Sequence, residues 1–180
     1  ISAPGVDIYA AMAAELPFAP GAYSSDYTFM SGTSMAGPHV AGALALLKQA
    51  QPSWTAAEIQ SAIQMTANQD VYVKERFGSE LKKAGVYDTG SGRIDVAAAA
   101  KAGLIMDESV DAFIAANPNN GGDTRALNLP ELVNFDCKDA CTWVRTVKAT
   151  VDGTWNTEAL TKELSVDLRV IPQQFSLKAG

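Results

Sequence analysis

Hydrophobic positions along the chain follow two different rhythms. In the first hundred residues they fall at helical spacing, and after Ala126 they shift towards period two. A strand-like run, Tyr27 to Met30, meets a tight Gly32-Thr33-Ser34 turn. Met35 to Ala50 follows and is apolar nearly all round (Val40, Ala41, Ala43, Leu44, Ala45, Leu46, Leu47), which predicts a helix buried in a core rather than laid on a surface. Gly37 and Gly42 on that helix are expected to let neighbouring backbone approach closely. Pro38 is tolerated only near a first turn, which fits a helix beginning at about Ser34. Pro52-Ser53-Trp54-Thr55 breaks the chain, and Thr55 with Glu58 spells a capping box for a second helix through Ile59, Ile63 and Thr66.

The flanking stretches read as punctuation. Ile1 to Tyr9 predicts a short extended segment after a Pro-Gly turn, and Met12 to Asp26 a loop, either a solvated connection or a wall of a cleft near Ser34. Ala67 to Val86 is polar and charged and predicts a loop with a short helical turn. Gly90 and Gly92 make a turn, Asp95 caps a helix over 96–102, and Gly103 ends it. Leu104 to Arg125 is expected to be a connector. Its Asn117-to-Asp123 cluster reads as a solvated loop; the same oxygens could hold calcium, but their spacing matches no EF-hand. Beyond it, Leu164 to Val170 alternates cleanly, Thr142 to Ala149 alternates less well but is β-branched, and Asp152-Gly153 signals a turn between strands.

Composition narrows the function classes. The 180 residues suffice for one domain and part of another, or for one large domain, and 47% are hydrophobic. A net charge of −6 argues against nucleic acid as a partner. No apolar run approaches the roughly 18 residues needed to cross a bilayer. Ile1-Ser2-Ala3-Pro4-Gly5 has neither the basic start nor the apolar centre of a signal peptide, and reads as the middle of something. The two cysteines, Cys137 and Cys141, are too few for a structural zinc site. They suit a small disulfide loop, which implies an oxidising compartment, or else two free thiols.

Ser34 is the residue with candidate chemistry. At a helix N-terminus it meets free backbone N–H groups and the positive end of the helix dipole. Such a place suits a hydroxyl attacking a carbonyl while negative charge builds on the carbonyl oxygen; the alternative is an ordinary helix cap. A serine hydroxyl also needs a general base, normally a histidine oriented by a carboxylate. The chain holds one histidine, His39. Five residues along a helix turn about 140° and rise about 7.5 Å, so His39 and Ser34 should not share a hydrogen bond. A packed, hydrogen-bonded histidine is expected there instead.

These residues carry a resemblance. Gly32-Thr33-Ser34-Met35-Ala36-x-Pro38-His39-Val40-Ala41-Gly42 resembles the nucleophile motif of the subtilisin-like serine proteases (subtilases), with only Gly37 at a variable position. Ala3-Pro4-Gly5-x-x-Ile8 resembles the family's segment before that motif, and Pro52, Trp54 and Thr55 its opening of the next helix. Asp88-Thr89-Gly90 is similar in letters to the catalytic aspartate motif, but it follows the nucleophile where the family's aspartate precedes it. Gly90-x-Gly92-x-Ile94-Asp95 better resembles the stretch that closes the catalytic domain. Leu127-Asn128-x-Pro130 and Arg145-Thr146-Val147 resemble the start of a fibronectin type III-like domain, with Glu131 and Ala149 in place of the family's Ser and Asn.

The resemblance implies an α/β fold: the C-terminal part of a subtilisin-like parallel-sheet three-layer domain (residues 1–104), a connector (105–126), and a partial all-β fibronectin type III-like sandwich (127–180). It implies a secreted serine endopeptidase acting on polypeptide substrates through an acyl-enzyme on Ser34, whose own backbone N–H helps hold the oxyanion. The triad aspartate and histidine, and the side-chain amide of the oxyanion hole, are expected in the N-terminal part of the same catalytic domain. This chain alone is therefore expected to be inactive. No cofactor is required for that chemistry; structural calcium is allowed in the parent and has no support in this sequence. The alternative is a non-catalytic protein-binding or structural piece that docks through exposed strand edges.

Overall fold

The structure, a computed structural model, describes residues 1–13, 26–74, 80–161 and 165–180. Its contacts divide into two units, Ile1–Ala100 and Lys101–Gly180. In the first, β1 (Ile8–Ala11) pairs antiparallel with β2 (Tyr27–Met30), Tyr9 opposite Phe29. The long helix α1 (Thr33–Ala50) and α2 (Ala56–Met65) come next. Then follow the two-residue strands β3 (Tyr72–Val73) and β4 (Lys82–Lys83), and the short helices α3 (Val86–Thr89) and α4 (Val96–Ala99). Helices α1, α2 and α4 pack on one another, and Leu47, Ile59, Ala62, Ile63 and Ala99 from them are buried. Burying one Leu or Ile side chain stabilises by about 2 kcal/mol, so this small cluster is the chief hydrophobic anchor of the unit.

The capping box forms as expected. Thr55 Oγ1 accepts from Glu58 N at 3.1 Å, and Glu58 Oε2 accepts from Thr55 N at 2.7 Å. Asp95 Oδ1 caps α4 by accepting from Ala98 N at 2.9 Å, although the helix stops at Ala99, short of the expected end at 102. The stretch 67–86, expected to be a loop, contains the β3–β4 hairpin.

Three expectations for α1 are corrected. It is not buried all round: Ala43 and Leu47 are buried, while Leu46 is 59% exposed. Its packing against α2 and α4 covers one stripe, and much of the remaining surface is exposed. A Cβ at Gly37 or Gly42 would meet no atom within 4 Å, so neither glycine serves a close approach here. Pro38 lies in the second turn, not the first, because the helix begins at Thr33.

No parallel sheet forms among the described residues. All four ladders are antiparallel pairs, and the one parallel contact is an isolated bridge between Ser2 and Arg93. Arg93 also bridges Asn68 on its other side, so three distant segments meet there: Ser2 N to Gly92 O at 2.8 Å, Ile94 N to Ser2 O at 2.9 Å, and Asn68 N to Arg93 O at 2.8 Å. Gly92 makes this meeting sterically feasible. Its φ is +127°, and a Cβ there would lie 2.6 Å from the Asn68 carbonyl oxygen.

The second unit holds β5 (Leu104–Ile105) paired with β6 (Lys148–Ala149), helix α5 (Val110–Ala115), and β7 (Gly153–Asn156) paired with β8 (Gln174–Leu177). The stretch expected to be a connector thus contains a strand, a helix capped by Ser109, and two 3-10 turns. Of the predicted strand 142–149 only Lys148–Ala149 joins a ladder, yet burial alternates along the whole stretch. The segment is extended but held by side chains. Asn128 pairs with Thr146 as a peptide would, Oδ1 accepting from Thr146 N at 2.8 Å and Nδ2 donating to Thr146 O at 2.9 Å. The Arg145 guanidinium donates to the carbonyls of Leu129, Glu131, Arg125 and Val144. The predicted strand 164–170 also differs from the structure: residues 165–170 lie in no ladder.

Two tests follow from these contacts. Gly92→Ala should destabilise the first unit by about 2–3 kcal/mol, read from urea denaturation, because the methyl cannot share space with the Asn68 carbonyl and the left-handed backbone disfavours it. The second concerns Asp123, whose carboxyl is held down at about 2, first by the Arg125 side chain and then by the Arg125 backbone N–H. A depressed carboxyl pKa contributes stability above its ordinary value of 3.8, and that contribution disappears as pH falls towards 2. An NMR titration should place the Asp123 midpoint near about 2. Arg125→Ala should move it back up.

Candidate active site

The start of α1 is built from backbone. Gly32 is its N-cap, with φ 157° and ψ 171° and no side-chain cap bond. Gly32 N donates to Gly5 O at 2.7 Å, and the Gly32 carbonyl accepts from Met35 N at 3.0 Å and Ala36 N at 3.2 Å. Gly5 fits beneath the turn because it lacks a side chain: a Cβ there would sit 2.8 Å from Gly32 O and 3.0 Å from the Ala36 Cβ. Ser31 adds a second tie, its Oγ accepting from Asp7 N at 2.8 Å. Asp7 adopts φ 51°, a left-handed conformation that bends the chain from Gly5 into β1.

Ser34 is the second residue of the helix, two places beyond the capping residue Gly32, so the cap reading does not describe its geometry. Its side chain is exposed, and among the described residues the hydroxyl has no hydrogen-bond partner. The Thr33 and Ser34 N–H groups likewise have no acceptor among the described residues, as the first turn of a helix requires. No acidic residue lies in that turn to neutralise the positive end of the dipole. The site therefore offers a free hydroxyl beside free amide donors at a surface, the arrangement that an acyl-transfer nucleophile needs. Ser34 also precedes Pro38 by four positions, so its own carbonyl receives no helical N–H.

His39 is not brought to Ser34. Its Nδ1 lies 2.8 Å from Met35 O and donates to it along the same helix. The expectation of a hydrogen bond is met; the expectation of packing is not, because the ring is exposed. Asp88 Oδ2 accepts from Gly85 N at 2.8 Å and serves its own turn. Asn117 and Asp123 likewise spend side-chain oxygens on capping 3-10 turns. Among the described residues no group of three His, Cys, Asp or Glu side chains is placed to hold a metal ion. Cys137 and Cys141 are joined, S–S 2.00 Å, and Asn134 Nδ2 lies 3.2 Å from the Cys141 sulfur. The expected loop 12–26, the suggested cleft wall, falls mostly outside the described residues. Among the described residues no helix is long and apolar enough to cross a membrane.

Sequence reasoning picked out Ser34 but not the Gly5–Gly32 contact beneath it. Pro4-Gly5 signalled a turn, and nothing in the letters said which backbone the glycine would admit. Gly5→Ala should displace the turn. Hydrogen exchange should show the Gly32 amide protected in the native chain and losing about tenfold or more of that protection in the variant, as expected for a lost hydrogen bond.

Comparison with known proteins agrees with the motif. Residues 1–79 match the sequence profile of the Subtilase family. Subtilisin-like protease SBT3.5 of Arabidopsis thaliana is 33% identical over 198 residues, covering 96% of this chain and 25% of that protein. Subtilisin-like protease SBT2.4 of the same plant is 38% identical over 128 residues, covering 66% of this chain and 15% of that protein. The chain thus spans 15% to 25% of the length of these two relatives. A crystal structure of fervidolysin from Fervidobacterium pennivorans, described as a keratinolytic enzyme related to subtilisin, superposes with a TM-score of 0.37 at 27% identity, covering 55% of this chain and 14% of that one. At that score the likeness does not speak to the fold.

Proposed function

We propose, from the premise that the chain belongs to the subtilase family over residues 1–79, that it carries the nucleophile of a serine endopeptidase. The observation behind this is the exposed hydroxyl of Ser34, which has no partner among the described residues, beside the Thr33 and Ser34 amides, which have none there either. In the proposed reaction Ser34 Oγ attacks the carbonyl carbon of a peptide bond. Negative charge moves to the carbonyl oxygen, and the Ser34 N–H donates to it. A general base takes the hydroxyl proton and passes it to the leaving amine; water then hydrolyses the acyl-enzyme. His39 is not that base, since it lies five residues further along the same helix, turned about 140° and raised about 7.5 Å from Ser34. We place the base, its carboxylate and the second oxyanion donor in the N-terminal part of the same catalytic domain. No cofactor enters the scheme. The Cys137–Cys141 bond and the secreted habit the family implies support an extracellular setting. The Leu127-Asn128-x-Pro130 start and the antiparallel β7–β8 pair that follows support a fibronectin type III-like reading of 127–180.

The reading is tested with a fluorophosphonate probe and a casein substrate. The 180-residue chain alone should neither label nor hydrolyse. The parent enzyme should label at Ser34, and Ser34→Ala in it should cut kcat by about 10⁴-fold or more. Labelling of Ser34 in the isolated chain would overturn the dependence on other residues. An active parent that keeps its rate in the alanine variant would overturn the nucleophile assignment.

A further inference from the structure

The second unit contains a stretch with the composition of a strand that joins no ladder among the described residues. Over Ser165–Ile171, polar Ser165, Asp167 and Arg169 alternate with apolar Val166, Leu168 and Val170. The apolar members are exposed: Val166 46%, Leu168 47%, Val170 41%. A turn at Ser165 joins the stretch to the chain before it, and from 167 to 171 no backbone N–H or carbonyl makes a hydrogen bond among the described residues. The stretch is nevertheless anchored at its end. Thr157 N donates to Gln173 O at 2.9 Å and Thr157 Oγ1 to Pro172 O at 2.7 Å, where the β7–β8 ladder begins. A tethered, unpaired, alternating segment is a template for another strand.

Its charges say which strand. Asp167 and Arg169 lie two apart on one face, now paired within the chain at 2.7 Å and mostly exposed. Place a second copy antiparallel about a two-fold axis at Leu168. Leu168 then faces itself and Val166 faces Val170. Asp167 of each copy faces Arg169 of the other, giving two cross-strand ion pairs. Shift the register by two and either Asp167 or Arg169 faces its own like charge. Shift it by one and apolar residues face polar ones. A single register therefore satisfies both faces, and it is self-complementary, as an isologous contact must be.

We propose that Val166–Val170 pairs antiparallel with the same segment of a second copy of this chain, forming a symmetric β-ribbon dimer centred on Leu168. A two-stranded ribbon is marginal in water, so the dimer is weak and concentration-dependent. Pro172, which has no N–H, ends the ribbon. The inference is independent of Ser34 and its chemistry.

Sedimentation velocity on the 180-residue chain over a concentration series, at low salt, tests it. The native chain should dimerise. Asp167→Arg and Arg169→Asp should each weaken the dimer by about tenfold or more, since either creates two like-charge pairs by symmetry. Mixing the two variants should restore association to within about threefold of native, as a heterodimer with both pairs opposite in sign. Both positions are exposed, and an unchanged far-UV spectrum checks that each variant is folded. A native chain that stays monomeric throughout would overturn the proposal. So would variants that associate as the native chain does, or a mixture no tighter than its components.

Discussion

A single backbone hydrogen bond, Gly32 N–H to Gly5 O at 2.7 Å, sets the geometry from which the candidate chemistry follows. It joins the segment before β1 to the cap of α1, and Gly5 can approach that cap because it has no side chain to collide with the Gly32 carbonyl. Because Gly32 spends its N–H on Gly5 and its carbonyl on the first helical turn, the chain enters α1 with no side-chain cap. The Thr33 and Ser34 amides are left without an acceptor among the described residues. Where a helix caps itself with a serine or aspartate, a side-chain oxygen occupies those donors and no anion can reach them. Here the cap is backbone, and the donors and the hydroxyl face outward together.

What the letters revealed and what they concealed divides along a physical line. Local signals were legible: the capping box of Thr55 and Glu58, the cap by Asp95, the turn at Gly90 and Gly92, the start of α1 to within a residue. Each depends on residues three or four apart. Signals needing a distant partner were not. The apolar girth of α1 predicted burial on every side, but burial is a property of what packs against a helix, and α2 and α4 cover one stripe. The β-branched run 142–149 predicted a strand; its burial alternates, but only Lys148–Ala149 joins a ladder. It could not predict that the neighbour would be side chains, Asn128 and Arg145, rather than a strand. The Gly5–Gly32 contact joins residues 27 positions apart in sequence, beyond the reach of any periodicity. Ser34 stood out only through a motif, and its freedom from a partner was visible only in the structure.

Asn128 and Arg145 show how a sheet-like segment is held without a sheet. A carboxamide presents one donor and one acceptor at peptide spacing, so Asn128 can stand in for a neighbouring residue opposite Thr146. Arg145 takes the carbonyls that such a neighbour would otherwise satisfy. Partial burial disfavours the charged guanidinium and lowers its pKa, with the Glu108 charge opposing that shift. Several short hydrogen bonds to carbonyl dipoles offset the lost hydration, and a lysine, with one ammonium in place of a planar fork, could not reach the same set. The 125–131 and 144–146 stretches are thus tied by side chains, while 165–171 joins no ladder among the described residues.

Positioning and proton transfer thus separate in this molecule. Among the described residues, the contacts that set the turn before Ser34 lie within residues 5 to 36, in backbone bonds of Gly5 and Gly32 and the Ser31–Asp7 tie. Activation of that hydroxyl is another matter. A serine at its ordinary pKa is a poor nucleophile, and a base acts only within about 3 Å of the proton it takes. His39, the one imidazole in the chain, is committed to Met35 O on a different face of the same helix. Moving it towards Ser34 would require unwinding the turn that holds Ser34 in place. The two demands conflict on a single helix, so on the proposed reading the base must approach from another element, across the exposed face on which the hydroxyl stands.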